Sequence, residues 1–108
     1  MSGQFALVLH PAFNIPPKRI KADNPFDSTF GLHESDVTAA GIVRFCQAQG
    51  GWITFSRNDI RSQVPDLDRQ DQDGLGNLVL GGFLTKDAAG NYSVTPEFIL
   101  RVFPKFEI

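Results

Sequence analysis

Asp66, Asp68, Asp71 and Asp73 crowd into one short stretch, a density of carboxylates that would suit a hard cation such as Ca2+. The spacing fails what a calcium loop requires. Counted from Asp66, Asp68 stands at loop position 3, but position 5 is Gln70, position 6 is Asp71 where the turn needs Gly, and position 12 is Asn77 where a bidentate Glu belongs. We expect no metal site, and the aspartates read instead as capping and first-turn residues that favour a helix dipole. Cys46 with His10 or His33 has the elements of an activated thiol, yet no local motif joins them, and no second Cys or His stands at ligand spacing. Cys46 also falls on an apolar helical face, which favours packing over reactivity. Gly74-Leu75-Gly76 lacks the preceding strand and third glycine of a dinucleotide loop. The expectation is a protein with no catalytic residue and no cofactor, hence not an enzyme.

The elements that would position any site follow from periodicity and punctuation. Residues 1–33 hold one expected strand, Phe5 to His10. Pro11, Pro16, Pro17 and Pro25 then exclude helix through most of the segment. Phe13, Ile15, Ile20, Phe26, Phe30 and Leu32 are too apolar for a disordered tail, so an extended arm packed on the body or on a partner subunit is expected. A first helix is expected from an N-cap at Ser35 to about Gln49, with Val37, Ala40, Gly41, Phe45 and Ala48 inward and Ile42 and Cys46 widening the face. Gly50-Gly51 supplies a left-handed stop. Trp52 to Phe55 reads as a strand. Ser56 caps a short second helix that Val64-Pro65 ends.

A third helix is expected over about Arg69 to Gly81, capped by Asp66 or Asp68, with Leu75, Leu78 and Val79 inward. Gly74 and Gly76 weaken it, unless they mark a break or a close contact. Phe83 to Thr85 and Tyr92 to Val94 alternate as strands around Asp87-Ala88-Ala89-Gly90-Asn91, a hairpin loop. Pro96 opens a last apolar helix expected to stop before Pro104.

Composition sets broader bounds. At 108 residues, with 42% hydrophobic and 20% charged side chains, the chain suits one globular domain, and ten Phe supply its bulk. The lone Cys46 allows no intrachain disulfide, and Phe5 to Leu9 is too short for a membrane span, so a cytoplasmic protein is expected. Net charge is -2, without long-range pull toward nucleic acid or anionic membrane. Lys18, Arg19 and Lys21 outnumber Asp23 and Asp27 in the first third, which leaves the remainder mildly acidic.

The order helix, strand, helix, helix, strand, turn, strand resembles the winged helix-turn-helix family. Its most specific signals are Leu78-Val79-Leu80-Gly81-Gly82-Phe83-Leu84, leading from third helix to wing, and Tyr92-Ser93-Val94-Thr95-Pro96-Glu97, leading from wing to a further helix. The resemblance implies an α+β fold, a three-helix bundle with a small antiparallel sheet in residues 34–108, preceded by the arm of residues 1–33. It further implies double-stranded DNA as partner, in transcriptional regulation, with the third helix in the major groove and the wing on the backbone. On that reading Arg69, Gln70, Gln72 and Asn77 face base edges, while Arg57, Arg61, Lys86 and Asn91 hold phosphates. A homodimer would supply the contact area, through the arm or through Phe98 to Ile108.

Lys18-Arg19-Ile20-Lys21 would be a minor-groove arm, or simply a solvated edge. The four aspartates depart from the family pattern, because carboxylates facing phosphate oppose binding. They favour an alternative reading, a protein-protein adaptor that uses the acidic third helix or the Phe-rich arm.

Overall fold

The computed structural model describes residues 10–20, 30, 31, 33–69 and 73–106, the side chains of 104–106 excepted. Within these the chain is α+β, with four α-helices and a three-stranded antiparallel sheet. The expected strand from Phe5 falls outside the described residues as far as Leu9. His10 caps a 3₁₀ turn, Pro11–Asn14, its Nδ1 accepting from the Ala12 N–H at 3.0 Å.

Helix α1, His33–Gln49, begins two residues before the expected cap at Ser35. Ser35 and Asp36 are buried, and Asp36 reaches back to accept from the Phe30 N–H at 2.7 Å. Ala40, Gly41, Ile42 and Cys46 are buried as expected and Thr38, Ala39 and Val43 are covered as well, whereas Val37 and Phe45 are half-buried and Ala48 is exposed. Elements pack on more than one side of α1, so a single apolar stripe does not describe it. Gly50, at φ +85°, ends the helix and donates its N–H to Cys46 O at 2.9 Å, as the glycine pair predicts.

The strand β1 is only Phe55–Ser56, shorter than the expected Trp52 to Phe55. Trp52 lies ahead of it, its indole N–H donating to Ile15 O at 2.6 Å. Ser56 caps helix α2, Arg57–Ile60, in a capping box with Asp59. Here α2 ends before Gln63, whose carbonyl accepts from Arg44 Nη2 at 2.8 Å while Val64 is fully buried.

The expected third helix starts later than the sequence suggests. Leu67–Arg69 is a 3₁₀ turn, and helix α3 is only Gly74–Leu80. A Cβ on Gly74 would overlap Thr38 Oγ1 and lie 2.6 Å from Glu34 O, so the first residue of α3 rests on α1 where only a residue without a side chain fits. Leu75 and Leu78 are inward as expected, Leu67 is buried beside them, and Val79, also expected inward, is half-buried.

Strands β2, Leu84–Lys86, and β3, Asn91–Val94, form the expected hairpin, and the sheet order is β1-β3-β2. Phe55 pairs with Tyr92, and Leu84 with Val94. Asp87 Oδ1 holds the turn by accepting from the N–H groups of Ala89 and Asn91, both at 2.9 Å, and Gly90 takes φ +89°. Helix α4, Pro96–Phe106, runs past Pro104 rather than stopping before it. Pro104 forfeits the N–H bond to the Leu100 carbonyl, and burial of Phe98, Ile99 and Val102 anchors the helix ahead of it.

The core lies between α1, α3, α4 and one face of the sheet. Phe55 stacks on Tyr92 with centroids 5.7 Å apart, and Phe98 meets both Phe30 and Trp52. The segment 10–20 belongs to this core. Ala12 and Ile20 are buried, and Gln47 Nε2 donates to the carbonyls of Pro17 at 3.1 Å and Ile20 at 2.6 Å.

Candidate functional site

The polar flank formed by α2, the Leu67–Arg69 turn and the start of α3 gathers Arg57, Arg61 and Arg69, three of the residues that the sequence marks for binding. The capping box at Ser56 sets the direction of α2, and one helical turn separates Arg57 from Arg61, so both guanidiniums emerge on the same side. They converge on Asp68. Arg61 grips it with two bonds, Nε to Oδ2 at 2.8 Å and Nη2 to Oδ1 at 3.2 Å, while Arg57 Nε donates to Oδ1 at 3.2 Å. Arg57 also donates from Nη1 to Asp73 Oδ1 at 3.3 Å and from Nη2 to Leu67 O at 3.2 Å. Arg61 Nη1 reaches Asn58 Oδ1 at 2.6 Å.

The electrostatics follow from this geometry. The hydrogen bond from Arg61, then that from Arg57, holds the Asp68 carboxyl below its usual range. Burial opposes the charge on Arg57, but Asp73 and Asp68 together more than offset it and raise its pKa. Asp73 precedes α3 and makes no side-chain cap bond, its carboxylate being turned to Arg57. Arg69 pairs with Asp66 at 3.3 Å, both exposed. A phosphate approaching any of these three arginines therefore meets a carboxylate already in place.

The remaining expected contacts are dispersed. Gln70, Gln72 and Asp71 lie outside the described residues. Asn77 is half-buried on α3, and its Nδ2 is covered without a hydrogen-bond partner among the described residues, so the amide does not present itself to a groove. Lys86 and Asn91 lie on the hairpin, with Lys86 Nζ 5.6 Å from the centre of the Tyr92 ring. Lys18 is exposed, and Arg19 lies over Phe103 with its guanidinium carbon 5.6 Å from the ring centre.

Helix α3 carries no charged side chain at all: it reads Gly74-Leu75-Gly76-Asn77-Leu78-Val79-Leu80. Its last residue, Leu80, is 86% exposed, against 39% for Ile53 and 44% for Leu100, the other large apolar side chains at the surface of the described residues. Exposed Gly81 and Gly82 follow it. Sequence reasoning missed Leu80, although its place between an inward Leu78 and a glycine pair was a usable signal. It also missed the Arg57–Asp68 and Arg61–Asp68 pairs, which local spacing does not reveal.

Cys46 is fully buried in α1. Burial pushes its thiol pKa up, and a backbone hydrogen bond involving Ile53 only partly counters this. Among the described residues no group of three or more His, Cys, Asp or Glu is arranged to hold a metal ion, and no helix is long and apolar enough to cross a membrane. No family model, curated protein or solved structure matches the chain.

Proposed function

We propose that this chain is a winged-helix domain that docks a protein partner through the face formed by α3 and the turn into β2, with Leu80 as its apolar anchor. The order α1-β1-α2-α3-β2-β3, with β3 between β1 and β2, supports the winged-helix assignment. The observation that carries the function is the 86% exposure of Leu80 on a helix without a charged side chain. Fully burying a Leu contributes roughly 1.5–3 kcal/mol, a useful anchor at the centre of a contact. A base-reading helix needs forked donors, and α3 offers only Asn77.

Duplex DNA is the second reading. It is favoured by the exposed Lys86 on the hairpin, where winged-helix DNA binders meet the backbone. A photoreactive phenylalanine analogue in place of Leu80, activated in the native host cell, distinguishes the two. The docking reading expects adducts that protease destroys and that are absent when the probe is placed at exposed Ala48. Adducts destroyed by nuclease, or none, would reject it.

A further inference from the structure

The two guanidiniums on α2 form a compact oxyanion cradle, and its present occupant is a carboxylate of the same chain. Arg61 addresses Asp68 through two N–H groups and Arg57 through a third, the forked arrangement that suits carboxylate and phosphate alike. Asn58 orients Arg61, and Leu67 O orients Arg57, so the cradle has supports beyond Asp68 itself. The Asp68 side chain retains 54% of its exposure and the Arg61 side chain 45%. Ion pairs this exposed are weak and exchange readily.

We propose that Arg57 and Arg61 bind a phosphomonoester dianion, which displaces Asp68 from between them. Charge decides the class of ligand. Asp68 brings one negative charge, so a phosphodiester, also singly charged, gains little by replacing it. A phosphomonoester carries about -1.5 to -2 at neutral pH and offers three acceptor oxygens to the same donors. The displaced Asp68 swings into solvent. Asp73 stays on Arg57 Nη1, leaving the Nε groups of both arginines and Nη2 of Arg61 for the ligand. This inference does not rest on the docking role of Leu80, and either can fail alone.

The test follows the side-chain Nε–H resonances of Arg57 and Arg61 in the full chain during titration with inorganic phosphate, at ionic strength held constant with chloride. Both resonances are expected to shift and saturate. Asp68→Asn, which removes the competing charge at an exposed position, should tighten binding by about tenfold, and acidification to about pH 5 should weaken it as the dianion takes up a proton. Backbone amide spectra confirm that each variant is folded.

Shifts no larger than chloride produces, in both wild type and Asp68→Asn, would overturn the proposal. So would phosphate binding that survives Arg57→Gln/Arg61→Gln. Parallel titrations with a phosphoserine peptide and with free phosphate identify the source of the group, and tighter binding of either supports the site. A duplex oligonucleotide that shifts the two resonances as strongly as phosphate would overturn the preference for a dianion.

Discussion

The hairpin and α4 differ from the α2–α3 flank in how they meet their polar requirements. At the hairpin, backbone and short side chains close on one another. Thr95 donates its hydroxyl to Gly82 O at 2.7 Å and its N–H to Phe83 O at 3.1 Å, and Asp87 ties the loop to itself. Behind these bonds lie the fully buried Phe98 and Ile99. The α2–α3 flank is also backed by buried Ile60, Val64, Leu67, Leu75 and Leu78, but its outer face is held by long side chains in exposed ion pairs. One region spends its polar groups on shape. The other holds them in a form that solvent and ligands can exchange, which is where binding chemistry belongs.

Substitutions can break this contrast. The largest loss is expected for Phe98→Ala, at about 3–5 kcal/mol by urea denaturation, because a fully buried ring leaves a cavity touching Phe30 and Trp52. Gly74→Ala should cost about 1–3 kcal/mol, since its methyl group would enter Thr38 and the Glu34 carbonyl. A stability within error of wild type would refute the close approach that starts α3. Trp52→Phe keeps a ring but drops the bond to Ile15 O, at a cost of about 1 kcal/mol, and should raise amide exchange in segment 10–20 ahead of α1.

The smallest effects belong to the exposed flank. Asp68 is stabilised as a carboxylate in the folded chain, so its contribution is present above its ordinary value of 3.8 and is lost as pH falls through the lowered native value. Wild type should lose slightly more stability than Asp68→Asn in acid titration below that point, and equal losses would show that the pairs contribute nothing. Leu80→Ser should change stability by no more than about 0.5 kcal/mol by urea denaturation, because the side chain is 86% exposed.

Local chemistry made much of this fold legible in advance. The Gly50 stop, the Ser56 cap, the inward Leu75 and Leu78 and the hairpin about Gly90 all depend on residues within one or two turns of each other. What sequence did not disclose depends on distant partners: Gly74 packs closely on Thr38 and Glu34 at the start of α3, and Trp52, ahead of the late-starting β1, bonds to Ile15. The candidate site suffered most for this reason. Arg57 and Arg61 were readable as cations on α2, but their neutralisation by Asp68 arises only when the chain folds back through Val64 and Leu67.

The central claim is that the carboxylate-paired arginines of α2 and the uncharged α3, among the described residues, favour a protein over a phosphodiester backbone as the partner. Fluorescence anisotropy of a labelled duplex, titrated with the full chain at stepwise salt, tests it most directly. The account predicts no saturable binding even at low salt. Binding that falls steeply with salt and weakens in Arg57→Ala would contradict it.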